Sequence, residues 1–295
     1  MRHLPACCLI SVTSLFLSSC GFHDHGFLAS AGPIAEAQRA HFWSIIRWTL
    51  IVIVPLFVAM PIVLWKYRQG KTGAVYRPDW TFSWLLEGII WGLPLVIVAI
   101  LSWNVWRVSH TLDPYTPITS AKPALHIQVV SLDWKWLFIY PDQRIASVDK
   151  VVFPAGRPVH FELTSETVMQ SFMIPRLGSQ IYTMPGMITQ LHLLASKPGQ
   201  YQGQNTQYNG KSFAQQKFTA QAVTDSGFRR WIKQQQAQPP LDMTAYNRLA
   251  QRSVLAAPKF FGSVKQDLFN QILARVKNTP AAALPGAAKD TSQGG

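Results

Sequence analysis

Apolar residues are spread along this chain in three different rhythms. A short apolar run, Leu9 to Leu17, follows a polar start at Arg2 and His3. Two long runs come next: Trp48 to Trp65 carries no charge, and Phe82 to Trp106 carries one, Glu87. From Leu125 onward the apolar residues fall into short groups separated by turn signals such as Pro141-Asp142, Pro154-Ala155-Gly156, Pro185-Gly186 and Asn209-Gly210. The first rhythm predicts a leader, the second a pair of membrane helices, and the third a set of short β-strands.

A short apolar run ahead of small residues is a secretory signal and not a span. Residues 1–19 are therefore expected to be a signal peptide. Its end, Leu17-Ser18-Ser19-Cys20, resembles a lipobox, which makes Cys20 the expected lipidated first residue of the mature chain. Residues 20–42 then form an N-terminal segment outside the membrane. Each long run is near the roughly 20 residues a helix needs to cross a bilayer, so spans are expected at 43–65 and 83–106. Tryptophans 43, 48 and 65 flank the first, and 80, 84, 103 and 106 the second, as in interfacial aromatic belts. The connecting segment 66–82 holds Lys66, Arg68, Lys71 and Arg77 against Asp79. A short basic loop stays in the cytoplasm, which puts both mature ends in the periplasm of a bacterial inner membrane.

The strand groups Leu125–Leu132, Lys150–Phe153, Val159–Leu163, Ile188–Leu194 and Phe218–Val223 predict an antiparallel sandwich or barrel within residues 124–224. Residues 225–279 read as a helical C-terminal extension, with helical patterns at Met243–Gln251 and Val264–Lys277. The Ala-, Gly- and Pro-rich tail 280–295 reads as disordered. His126, His160 and His192 lie within strand groups at no metal-ligand spacing and read as ordinary strand histidines.

Composition adds two constraints. The formal net charge is +13, from 27 Lys and Arg against 14 Asp and Glu. On a chain placed outside the cytoplasm this is a basic face for anionic headgroups or another subunit, not for nucleic acid. The three cysteines, Cys7, Cys8 and Cys20, all lie in the first twenty residues. No thiolate is therefore available within the strand-rich region.

That region carries a revealing pattern. One loop reads Thr167-Val168-Met169-Gln170-Ser171-Phe172, and a second runs from Gly203 through Asn205, Gln207, Asn209 and Phe213 to Gln216. With Asp133-Trp134-Lys135-Trp136 and Leu177 to Met187, these segments resemble subunit II of haem–copper terminal oxidases, and its quinol-oxidising branch in particular. The resemblance covers about Cys20 to Ile232 and implies a cupredoxin-like sandwich on a transmembrane helical hairpin.

In the copper-bearing members of that family, two Cys, two His, a Met and a Glu carbonyl hold a dinuclear copper centre. The corresponding positions here are Gln170, Asn205, Gln207, Asn209, Phe213 and Gln216. A thiolate-bridged copper pair cannot be built from amides and a phenyl ring. The resemblance thus implies a subunit with no metal, no redox centre and no catalytic residue of its own. It implies a partner subunit I holding the haems and copper, further small membrane subunits, ubiquinol as the substrate of the complex, and no docking of cytochrome c. It also implies that Glu87 lies near the mouth of a proton channel of subunit I. An intramembrane carboxylate is costly enough to point the same way; a Glu one turn deep that reaches water is the plainer alternative. Trp134 and Trp136, deprived of a copper to feed, read as aromatics at a sheet edge or subunit contact. Two rival functions are a membrane-anchored lipoprotein using a metal-free cupredoxin domain to bind or sense a ligand, and a cytochrome c oxidase subunit II. The missing ligands count against the latter.

Overall fold

The computed structural model describes residues 26–68, 81–178 and 180–278. The leader, Cys20, most of the loop 66–82 and the tail 280–295 lie outside the described residues. The described residues divide into two compact units, one from within residues 38–113 and the other from those before residue 38 and after residue 113.

The first unit holds the second long helix and all but the first turn or so of the first. Helix α1 runs Pro33–Lys66 and α2 runs Trp84–Thr111. At about 1.5 Å per residue each exceeds the roughly 30 Å of a bilayer's hydrocarbon core. Both are long and apolar enough to cross a membrane. Helix α1 begins well before its apolar run, with Pro33 at a first-turn position where no backbone N–H is needed. Pro55 and Pro61 within α1 and Pro94 within α2 interrupt neither helix. Most of their large apolar side chains are exposed, including Phe57, Leu64, Leu85, Trp91 and Leu95. Such surfaces demand an apolar surrounding.

The second unit is a β-sandwich. Its strands are β1 Leu125–Leu132, β2 Lys135–Tyr140, β3 Ile145–Val148, β4 Lys150–Pro154, β5 Val159–Ser165, β6 Gln170–Met173, β7 Ile181–Thr183, β8 Thr189–Leu193, β9 Gly199–Asn205 and β10 Lys217–Val223. Helix α3 follows at Asp225–Gln235, then β11 Pro240–Leu241, α4 Met243–Ala250, β12 Lys259–Phe261, β13 Ser263–Val264 and α5 Leu268–Asn278. One sheet has the order β12-β3-β2-β1-β5-β8 and the facing sheet β4-β10-β9-β6-β7. This is the cupredoxin-like architecture. It differs from a purely antiparallel sandwich, because β1 pairs with β5 and β4 with β10 in parallel. A parallel neighbour needs a crossover. The chain supplies it by passing from β3 in one sheet to β4 in the other before returning as β5.

Between the sheets lies a core of alternating inward residues: Ile127 and Val129 of β1, Phe161 and Leu163 of β5, Phe172 of β6, and Phe218 and Ala220 of β10. Phe172 and Phe218 stack with ring centres 4.9 Å apart. Gly203 of β9 makes room for that pair, since a Cβ there would meet the Phe218 ring at 2.0 Å. Trp136 is fully buried in the same core, edge-on to Phe172 at 5.2 Å. It is thus an interior residue of an interior strand, contrary to the sheet-edge expectation. Trp134, in the β1–β2 turn with φ of 64°, is half-buried.

A second core covers the outer face of the first sheet. Val130, Leu132, Leu137, Ile139 and Val148 pack against Leu241, Tyr246, Leu249, Leu268, Phe269, Ile272 and Val276. The C-terminal extension is therefore a third layer, held on by α4 and α5 and by β12 pairing with β3. Beneath it Glu166 is buried, accepting a hydrogen bond from Tyr246 Oη at 2.5 Å and pairing with Arg275. Burial pushes the Glu166 carboxyl up, against the opposing pull of Tyr246 and Arg275.

Candidate functional site

The six positions of the copper frame come together at one end of the sandwich. Gln170 opens β6, Asn205 closes β9, and Gln216 immediately precedes β10. Gln207 and Asn209 lie in the loop between them, and Phe213 opens a 3₁₀ turn, Phe213–Gln215. Four of the six side chains form one hydrogen-bonded net. Gln216 Nε2 donates to Gln170 Oε1 at 2.5 Å, while Gln216 Oε1 accepts from Asn205 Nδ2 at 3.0 Å and from Asn209 Nδ2 at 2.7 Å. Gln170 and Gln216 each also donate to Leu132 O at 3.3 Å. Asn205 Oδ1 accepts from the backbone N–H groups of Ser171 and Gln207, both at 2.9 Å.

Gln170, Asn205 and Gln216 are buried, so each amide needs partners there. Each finds them in the others. The donor set is neutral and amide-only, with no thiolate or imidazole among the six residues. That chemistry does not fit a thiolate-bridged copper pair. Gln207 takes part through its backbone, and the Phe213 ring leans on Tyr208 with centres 5.7 Å apart.

Beside the frame, the Asp133–Trp136 segment is fastened by Asp149. Its Oδ1 accepts from Trp136 N at 2.8 Å and its own N–H donates to Trp136 O at 2.9 Å. Burial raises the Asp149 carboxyl to about 7, opposed by the Trp136 N–H and the charge of Lys135. Burial in turn lowers the pKa of Lys135, whose Nζ donates to Gln251 O at 2.6 Å and Ser253 Oγ at 2.7 Å. The carboxylate of Glu87 lies in the other unit, in the first turn of α2, where Oε2 accepts from Trp91 Nε1 at 2.9 Å.

One grouping escaped the sequence reading. His126 of β1 is in register with His160 of β5, and His160 with His192 of β8. The three rings form a ladder, with centres 5.3 Å and 4.5 Å apart. Glu162, next but one to His160 on the same face, brings Oε2 to 2.9 Å from His126 Nε2. Burial, then the neighbouring His192 and His126, lower the pKa of His160. The local signal was His160-Phe161-Glu162, two polar residues on one face of a strand. The partner from β1 depends on register, which no spacing reveals.

A cupredoxin-like sandwich with this frame, in a chain carrying two membrane-length apolar helices, defines the class of subunit II of haem–copper oxidases. Residues 138–223 match the family "Cytochrome C oxidase subunit II, periplasmic domain", and residues 235–278 match "COX Aromatic Rich Motif". The second match falls on the third layer. The chain is 41% identical over 266 residues to the cytochrome bo(3) ubiquinol oxidase subunit 2 of Pseudomonas aeruginosa, covering 90% of this chain and 80% of that protein. It is 40% identical over 270 residues to the ubiquinol oxidase subunit 2 of Acetobacter aceti, covering 90% and 86%. It is 34% identical over 249 residues to the quinol oxidase subunit 2 of Bacillus cereus, covering 83% and 85%. The chain belongs to the ubiquinol oxidase subunit 2 family.

Proposed function

We propose that this chain is subunit II of a proton-pumping ubiquinol oxidase of an aerobic respiratory chain, and that it braces the complex without carrying electrons. The observation that carries the second half is the amide net at Gln170, Asn205, Asn209 and Gln216. Through Gln216 the amides of Gln170, Asn205 and Asn209 are joined to one another, with Asn209 Oδ1 left over, where an electron-accepting subunit would present thiolates. In this reading subunit I holds the haems and the copper, oxidises ubiquinol and reduces oxygen to water. Electrons then enter through the bilayer and bypass the sandwich, so cytochrome c has no docking role.

The hairpin anchors the subunit in a bacterial inner membrane, with the basic loop in the cytoplasm and both ends in the periplasm. Residues 1–19 serve as the signal peptide and Cys20 as the lipidated residue. Glu87 lies at the cytoplasmic end of α2, at the mouth of a proton channel of subunit I.

A tagged copy purified in mild detergent tests both halves. Haem-containing, quinol-oxidising activity is expected to co-purify with it, and its failure to do so would refute the assignment to this complex. Copper analysis of the full chain separated from subunit I is expected to find no stoichiometric copper. A stoichiometric amount would overturn the electron-free role.

A further inference from the structure

The histidine ladder lies on the outer face of the first sheet, away from the amide net's carbonyl partner at the end of β1. The residues of β1 that share this face are His126, Gln128, Val130 and Leu132, and the C-terminal layer covers the last two. The uncovered end is where His126, His160 and Glu162 meet. One ligand atom from each lies within 4.8 Å of the others.

Two features distinguish this group from an ordinary ion pair. The Nε2 atoms of His126 and His160 are both shielded from solvent, and neither has a hydrogen-bond partner among the described residues. His126 Nε2 is close to Glu162 Oε2, at 2.9 Å, yet the approach lacks the alignment of a hydrogen bond. Glu162 Oε2 also accepts from Gln128 Nε2 at 3.4 Å, but the two shielded imidazole nitrogens beside it have no hydrogen bond and are costly unless something satisfies them.

We propose that His126, His160 and Glu162 form a binding site for a divalent cation of the zinc type. Imidazole and carboxylate donors suit Zn²⁺, whereas Ca²⁺ and Mg²⁺ prefer all-oxygen shells. Tetrahedral zinc with bonds of about 2.0–2.2 Å holds its ligand atoms roughly 3.3 Å apart. The three ligand atoms, within 4.8 Å of one another on adjacent paired strands, would have to close to that spacing by side-chain rotation. Three protein ligands leave a fourth position for water.

His192 positions the site. Its Nδ1 lies 3.1 Å from the Pro114 carbonyl, which can only accept, so Nδ1 carries the proton. That bond holds the His192 ring parallel to His160, with an interplanar angle of 1°. The bound cation would tie β1 to β5 across their parallel seam. The site is independent of the electron-free reading, and either can fail without the other.

The test uses the full chain in detergent, titrated with Zn²⁺ against a chromogenic chelator. Wild type is expected to hold one zinc at this site, removable by EDTA. His160→Gln and Glu162→Gln are expected to weaken it by at least about tenfold, and His192→Gln to weaken it while keeping the stoichiometry. Equal zinc binding by wild type and a His126→Gln/His160→Gln double variant with unchanged metal-free melting would overturn the proposal. X-ray absorption at the zinc edge of the wild-type protein decides the matter even if a variant misfolds. Two imidazoles and a carboxylate support the site, and sulfur or all-oxygen coordination overturns it.

Discussion

Asp149 is where a single residue's chemistry reaches furthest. It adopts φ of 59°, a region that Asp and Asn tolerate better than most residues. There it clips the backbone of Trp136 from both sides, 2.8 Å and 2.9 Å away. Burial raises its pKa from 3.8 to about 7. The folded state then binds the proton more tightly than the unfolded chain does. The resulting stabilisation is complete below the ordinary carboxylate range and is lost as pH rises through about 7. The Asp149 share should therefore pull thermal melts of the sandwich downward between pH 4 and pH 7. Asp149→Asn keeps the acceptor and the tolerated backbone but cannot ionise, so its melts should decline less over that range. Glu166 is raised by burial too and acts in the same direction, whereas His160, lowered by burial, acts in the opposite one. The difference between wild type and Asp149→Asn isolates the Asp149 share. Equal slopes in the two proteins would show that Asp149 does not ionise in this window.

At the scale of elements, the amide net is a clasp. Through Gln216 it joins the end of β1, the start of β6, the end of β9 and the loop before β10. Gln216→Leu has nearly the same volume but strands Gln170 Oε1, Asn205 Nδ2 and Asn209 Nδ2. Orphaning buried amides costs about 1–3 kcal/mol each before relaxation, so an overall loss of about 3 kcal/mol is expected in urea denaturation. A loss below about 1 kcal/mol would show that water replaces the clasp. Legibility also varied at this scale. Strand β5 alternates cleanly and was readable, whereas β2, Lys135–Tyr140, is buried along its whole length and shows no alternation. Strand β9, Gly199–Asn205, was hidden for the opposite reason. It is rich in Gln and Gly, and only Tyr201, Gly203 and Asn205 face inward. The C-terminal helices were legible from their apolar stripes, but the sheet they cover was not.

At the scale of the whole molecule, Glu87 carries the prediction. It stands in the first turn of a helix whose large apolar side chains are mostly exposed, and its one described partner is Trp91. If it lies at the mouth of a proton channel of subunit I, Glu87→Ala in the purified complex should slow quinol-driven oxygen turnover and proton uptake several-fold, leaving the haem content unchanged. Undiminished turnover and uptake would reduce Glu87 to an interfacial residue reaching water.

Periodicity, run length and residue chemistry act locally, and what they determine is legible in one dimension. They determined the two apolar helices, the β-rich region after Leu125, the amphipathic helices near the end, and the absence of sulfur ligands at the copper frame. Pairing across strands depends on long-range register, and only the tertiary structure decided it. It made β1 and β5 parallel neighbours, buried Trp136 at the centre, and turned the extension into a third layer over Leu132 and Leu137. It also drew His126 of β1 up to the His160 and Glu162 pair of β5. Each of those outcomes is set by which backbone lies beside which, a quantity that no spacing along the chain contains.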